Sequence, residues 1–326
     1  MTTITRRALL AAAASASAGP YTAALAQSDW PSRPVRLISP YGAGGANDIS
    51  ARILGEYLKG PLGQQFVVEN KPGAGTRIAN EMVARAAPDG YTVLYVAAPY
   101  ATAEALYGKL PFDPRKDLKP VAMAALAPLF LIVNSQSQFK TLKDLVAYGK
   151  SRPEGLTFAS PGAGSQPHLA AQLLFRDAGV KGLNVHMRGD AVAYTELLAG
   201  RVDATLTAIT TALPHIEAGK LRVLGVASAA PSGVYPQAPT LRQQGYPNVV
   251  ASGWYGFMLP GATPAGITAR LQMAVLRALG DPGIKSKLLT QGLDAHGLPA
   301  AEFGKFIEDE NRKWTDVIRK AGIKGE

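Results

Sequence analysis

Val35-Arg36-Leu37-Ile38-Ser39 runs into Pro40-Tyr41-Gly42-Ala43-Gly44-Gly45-Ala46-Asn47, an apolar run that breaks on a glycine-rich turn. The apolar run reads as a buried strand, and Asn47 to about Lys59 reads as a helix. The same design returns twice. Phe66–Glu69 leads into Pro72-Gly73-Ala74-Gly75-Thr76-Arg77 and a helix from Thr76 to about Arg85. Thr157–Ser160 leads into Pro161-Gly162-Ala163-Gly164-Ser165 and a helix to about Ala178. A repeated strand, turn and helix implies a parallel sheet with helices on its faces.

Working outward, Thr92–Ala97 is a third strand of the first unit. In the second, Thr141–Ser151 reads as a helix capped by Thr141, with Asp144 in its first turn. Further strands and helices are expected at Asn184–Met187, Ala191–Ala199, Ala204–Thr207 and Leu221–Ala227. Pro264–Leu279, Asp281–Thr290 and Ala300–Ala321 read as closing helices, with no third sheet. The long apolar runs Val121–Val133 and Ser252–Leu259 suit strands that cross between two domains. The expected division is residues 27–126 with 252–326 as the first domain and an inserted second domain at 127–251. The fold class is therefore α/β, with two α/β domains joined by crossover strands.

The head of the chain reads as an address. Arg6-Arg7 precedes an Ala-rich run, and Ala24-Leu25-Ala26 offers a small-x-small cleavage site before Gln27. Residues 1–26 thus resemble a twin-arginine-like secretory signal. Without them the chain keeps 32 basic and 24 acidic residues, a balance of +8. Those charges are dispersed, with no run of four Lys or Arg, and lack the interleaved aromatics of a nucleic-acid groove. No nucleic-acid partner is expected.

The chain has no cysteine, which excludes disulfides, thiolate metal sites and a thiol nucleophile. His168, His186, His215 and His296 are scattered, so no metal site is expected. Neither G-x-G-x-x-G nor G-x-x-x-x-G-K-[ST] occurs, which disfavours nucleotides. G-x-S-x-G is absent too, and Ser165 with His168 on one helix start makes poor triad geometry. An exported hydrolase would need a nucleophile or metal that the sequence does not offer. No cofactor is expected.

The glycine turns instead suit an anion. Glycine leaves backbone N–H groups free to face a ligand, and a helix N-terminus adds unpaired donors with positive partial charge. Several side chains carry two readings. Ser165 is a helix cap, a ligand donor, or both. Asp48 pairs with Arg52 at i, i+4, or reaches the ligand. Arg77 and Arg188 either grip a carboxylate or lie solvated at the surface. Asp190 either meets a ligand amine or hydroxyl, or caps the helix that starts at Ala191. Thr207, Ala208 and Thr210 offer small contacts at another strand end.

These residues sit in a longer pattern. It includes Trp30-Pro31, Gly44-Gly45-Ala46-Asn47-Asp48-Ile49-Ser50-Ala51-Arg52 and Glu69-Asn70-Lys71-Pro72-Gly73-Ala74-Gly75. It continues through Leu110-Pro111-Phe112-Asp113-Pro114, Pro239-Thr240-Leu241, Gly253-Trp254-Tyr255-Gly256 and the tail Glu302-Phe303…Glu310…Lys313-Trp314. Over nearly all of the mature chain the sequence resembles the Bug-type solute-binding proteins of tripartite tricarboxylate transporters.

The resemblance implies a clamshell of the type II periplasmic-binding class. It implies a monomer that holds a small carboxylate and passes it to integral-membrane transporter subunits. The carboxylate could be a di- or tricarboxylate, an amino acid or an aromatic acid. A sensing module docked on a membrane receptor would share the fold. The resemblance places the ligand against Tyr41, Gly42, Ala43 and Gly45, against Gly75, Thr76 and Arg77, and against Ala98, Pro99 and Tyr100. From the second domain it adds Gly164, Ser165, Gln166 and His168, then Arg188, Gly189 and Asp190, then Thr207 and Ala208.

The chain departs from that family at Thr76 and Arg77, where a glycine and a small polar residue are usual. It departs again at Thr207, often an Asp, and at Met187, commonly a Tyr. Loss of an acid and gain of Arg77 favour a more anionic ligand such as a dicarboxylate. Arg77→Ala is then expected to weaken dicarboxylate binding about tenfold or more. Isothermal titration would read this, and an unchanged affinity would remove Arg77 from the site.

Overall fold

The computed structural model describes residues 30–160, 162, 164–187 and 190–325, with the side chains of 190 and 191 left out. The signal-like head, residues 1–26, and Arg188 and Gly189 lie outside the described residues.

The first sheet takes β1 (Val35–Ser39), β2 (Phe66–Asn70), β3 (Thr92–Ala97), β4 (Leu118–Pro128), β10 (Ser252–Pro260) and β11 (Asp294–Pro299). Their order is β11-β4-β10-β3-β1-β2. The second sheet takes β5 (Phe130–Asn134), β6 (Leu156–Ser160), β7 (Gly182–His186), β8 (Ala204–Thr207) and β9 (Leu221–Val226). Its order is β7-β6-β8-β5-β9. The expected parallel pairing holds for β1 with β2 and β3, and for β6 with β7 and β8. Both sheets are nevertheless mixed, because β10, β11 and β5 run antiparallel to their partners.

Ten helices cover the sheets among the described residues: α1 (Ala46–Leu62), α2 (Arg77–Ala84), α3 (Pro99–Tyr107), α4 (Leu142–Ser151), α5 (Gln166–Ala178), α6 (Asp190–Leu198), α7 (Leu213–Glu217), α8 (Ala265–Gly280), α9 (Pro282–Leu289) and α10 (Ala300–Ala321). Strand alternation sends successive side chains to opposite faces. Val93 and Tyr95 thus join Leu54 and Leu58 of α1 in one core, while Leu94 and Val96 join the α3 side in another. The second sheet is covered on both faces in the same way.

The apolar run at 121–133 does pass between the sheets. It breaks at Leu129, after Pro128, whose missing N–H ends the β4 ladder. Ala227 N–H donates to the Leu129 carbonyl at 2.8 Å, and Ala251 N–H to the Ala227 carbonyl at 2.7 Å, so three segments meet at the crossing. Return is made at Ala251, and β10 lies wholly in the first sheet.

Two elements escape the sequence pattern. Helix α3 follows β3 directly, with Pro99 at its first position, so Pro99 and Tyr100 open a helix and do not close a strand. Strand β11 adds an edge to the first sheet late in the chain, where only helix was expected. Its residues include Gly297 and Pro299, and its register with β4 shifts midway, so no alternation marks it.

Helix α10 binds the two halves. Phe303 packs edge-on against Trp254 in the first core, with ring centroids 5.6 Å apart. Trp314, Val317 and Ile318, three turns on, are buried in the second core beside the α4 and α5 residues. Trp314→Ala is expected to cost about 3–5 kcal/mol. Urea denaturation measures it, and a loss under 1 kcal/mol would show that α10 is only laid against that core.

Candidate functional site

Strands β3, β1 and β2 are neighbours, so the segments after them share one end of the first sheet. The same holds for β8, β6 and β7 in the second. Ligands of open α/β sheets sit outside the carboxyl ends of such strands. The segments after β1, β3, β6 and β8 carry most of the residues singled out by sequence.

The turn after β1 is held from beneath. Asp48 is almost fully buried. Its carboxylate accepts from Gly44 N–H at 2.9 Å, from Asn70 Nδ2 at 2.9 Å and from Arg52 at 2.9 Å. Burial opposes the charged form of Asp48, but the bonds from Arg52, Gly44 and Asn70 outweigh it and hold the carboxyl below its usual range. Asn70 also donates to the Tyr41 carbonyl at 2.9 Å. Asp48 therefore serves as a strut, in line with the helix-face pairing. Asn70 was not singled out, although it ends β2 inside the quoted pattern.

With the turn fixed, the N–H groups of Gly42, Ala43 and Gly45 have no protein acceptor among the described residues. All three residues are exposed. Tyr41 beside them is 37% exposed, yet burial of its surroundings and the nearby Tyr255 push its hydroxyl pKa up.

The turn after β2 is strained. Gly73, Ala74, Gly75 and Thr76 all have positive φ, at 129°, 46°, 59° and 75°. A β-branched residue in that region is uncommon. Space is short as well: a Cβ on Gly75 would stand 2.7 Å from the Tyr107 hydroxyl. Thr76 is buried and accepts from Asn80 Nδ2 at 3.3 Å, so its hydroxyl faces the helix. The Arg77 guanidinium lies 3.7 Å from the Tyr107 ring centroid, and its Nε donates to the Ala74 carbonyl at 2.8 Å. One edge of Arg77 is thus committed to the turn. Tyr107 gave no signal, because α3 itself was not anticipated.

After β3, Ala98 is buried and its N–H donates to the Trp254 carbonyl at 3.1 Å. The Tyr100 hydroxyl donates to the Pro114 carbonyl, so that side chain belongs to the core under α3. What remains for a ligand is the first-turn backbone of α3.

In the second half, Ser165 caps α5. Its hydroxyl donates to the Gly162 carbonyl at 2.7 Å and accepts from His168 N–H at 3.4 Å. Gly164 N–H donates to His168 Nδ1 at 3.0 Å, which places the remaining ring proton on Nε2. That amide is therefore occupied, and its part in the turn is structural. Gln166 Nε2 reaches across to the Ser252 carbonyl at 3.3 Å. Thr207 is buried and pairs with Phe130, and the Ala208 carbonyl accepts from the Tyr194 hydroxyl at 2.5 Å. Arg188 and Gly189 are outside the described residues, as is the side chain of Asp190, which opens α6.

Two hollows of about 670 and 560 Å³ lie along α10 and contain none of these residues. Among the described residues no group of three or more His, Asp or Glu could hold a metal ion, and no helix is long and apolar enough to cross a membrane.

Residues 50–323 match the family described as the tripartite tricarboxylate transporter family receptor, TctC. The chain belongs to that family. Its members are solute-binding receptors and not enzymes. BugT of Bordetella pertussis is 34% identical over 297 residues, covering 90% of this chain and 91% of BugT. An adipate-bound protein of R. palustris superposes with a TM-score of 0.78 at 30% identity, over 90% of this chain and 99% of that one. MatC of Rhodopseudomonas palustris, with bound malate, gives 0.72 at 31% identity, over 89% and 100%. The type II two-domain fold is thus shared with solved members.

His168 makes the site sensitive to acid. Burial, with electrostatic repulsion from the neighbouring His186 ring next, lowers its pKa to about 4 from 6.5. A depressed histidine pKa means the folded state resists the charged form. The stability it contributes is whole above pH 6.5 and is lost as pH falls toward 4. The full loss is roughly 3 kcal/mol. Protonation also removes the Nδ1 acceptor that holds Gly164. His168→Asn should flatten the stability slope between pH 6.5 and 4 in urea titrations, and an unaltered slope would assign the loss to other groups.

Proposed function

We propose that this chain is an extracytoplasmic solute-binding protein. It captures a small carboxylate in the cleft between its halves and delivers it to a tripartite tricarboxylate-type membrane transporter. Residues 27–126 with 252–326, and 127–251, are the two domains that close on the ligand. Residues 1–26 direct export and are removed.

The observation that carries this reading is the row of unpaired N–H donors at Gly42, Ala43 and Gly45, fixed on a buried strut. Such donors favour an oxyanion and bring no counter-charge of their own. The free edge of the Arg77 guanidinium, stacked on Tyr107, adds one cation on the same half. A ligand with two carboxylates uses both features. Adipate and malate, bound by the two solved relatives, are both dicarboxylates. Closure then proceeds as population shift: the ligand stabilises the form in which both halves touch it.

A thermal-shift screen of purified protein tests this, using mono-, di- and tricarboxylates, amino acids and aromatic acids. At 100 times its Kd a ligand adds about 2.7 kcal/mol, which raises Tm by a few degrees. Dicarboxylates are expected to shift Tm selectively without being consumed. A blank across the panel, repeated after refolding free of bound solute, would overturn the proposal.

A further inference from the structure

Strands β6 and β7 run parallel, and their register brings Ser160 opposite His186 at the sheet end where the turn before α5 begins. Strand alternation sends Gly182, Asn184 and His186 to one face of β7. That face is the one α5 covers. A Cβ on Gly182 would stand 2.2 Å from the Phe175 ring, and the His186 ring packs against His168 in the first turn of α5, with centroids 4.8 Å apart at 66°. The turn that His168 holds abuts the first half: a Cβ on Gly164 would stand 2.9 Å from Leu106 of α3, and Gln166 reaches the Ser252 carbonyl.

Hydrogen bonds fix where each ring proton sits. Gly164 N–H donates to His168 Nδ1 at 3.0 Å, so that ring carries its proton on Nε2. Ser160 is fully buried, and His186 Nδ1, 3.0 Å away, is the one acceptor its hydroxyl meets among the described residues. A buried hydroxyl gives its proton to an acceptor, so Ser160 donates and His186 also carries a proton on Nε2. Neither Nε2–H meets a protein acceptor among the described residues. His168 is only 5% exposed, where an unmet donor is costly, and His186 beside it is open to solvent.

The chemistry of the pair selects its ligand. A histidine that binds a metal donates its other ring N–H to an acceptor. Here the other nitrogen of each ring faces a donor, which disfavours a metal ion and suits an anion.

We propose that His186, backed by His168, is the carboxylate-binding residue of the second half: the two Nε2–H groups donate to one carboxylate of the solute. This deepens the dicarboxylate reading, whose donors at Gly42, Ala43, Gly45 and Arg77 all lie on the first half, and rests on it for the ligand.

Imidazole proton–nitrogen NMR of the whole protein tests the subsite, with malate, adipate and acetate as probes. Before any probe is added, both rings are expected as Nε2–H tautomers, and an Nδ1–H tautomer at either ring overturns the proposal. At saturation the Nε2–H signals of His186 and His168 are expected to move while that of His296, on β11, stays. Titration calorimetry is expected to show about tenfold weaker dicarboxylate binding for His186→Phe, which keeps a ring against His168 and loses the donor. Unmoved signals, or full affinity in His186→Phe, overturn the subsite. Should His186→Phe fold poorly, the wild-type signals decide. Should neither dicarboxylate bind wild type, acetate at high concentration decides: shifts confined to the two rings uphold the subsite and put the failure on the dicarboxylate assignment, and no shift overturns it.

Discussion

Phe303 and Trp314 stand eleven residues apart on one helix, and each is completely buried in a different core. A helix rises 1.5 Å per residue, so about 16 Å of rigid rod fixes the spacing of the two halves at that face. Between those anchors, Glu310 accepts from Trp314 Nε1 at 2.8 Å and from the Lys313 ammonium. Lys313 also donates to the Val250 carbonyl at 3.1 Å, one residue before the return crossing. A buried carboxylate is costly unless its lone pairs are met, and here they are. This helix and the crossover strands are what join the two sheets.

The side chains of the candidate turns mostly face their own loops. Asp48, Asn70, Ser165 and His168 spend their hydrogen bonds on backbone within the turns. Their effect is preorganisation: donors set before a ligand arrives need no ordering when it binds. His168 shows how closely that depends on protonation, since only the neutral ring offers Nδ1 to Gly164. The positive φ at Thr76 is a second sign, because backbone strain persists only where its surroundings over-determine it.

Much of this was legible in the sequence, for identifiable reasons. Strand β3 announces itself because all six of its residues are buried, whereas β1 and the edge strand β2 show as short apolar runs that break on glycine turns. Leu129 falls inside a run long enough to serve two sheets, so the crossing was visible too. The Asp48–Arg52 pair follows from helical spacing alone. Strand β11 was hidden because an edge strand with Gly and Pro carries no alternation, and α3 because it begins where β3 stops. Arg77 could be placed beside a glycine turn, but its partner Tyr107 comes from that unseen helix. Which N–H groups are spent and which are free is a property of backbone direction, and residue identity does not encode it.

The placement of Trp314 has a consequence for synthesis. The second core is built from residues 129–251, yet Trp314, Val317 and Ile318 fill part of it from the far end of the chain. A nascent chain that has emerged only through residue 251 has every strand of that sheet and an apolar socket open to water. Ordering of the two halves cannot proceed one after the other along the ribosome. It completes only when Trp314, Val317 and Ile318 have emerged and entered that core, more than sixty residues after its last strand-bearing segment ends at 251.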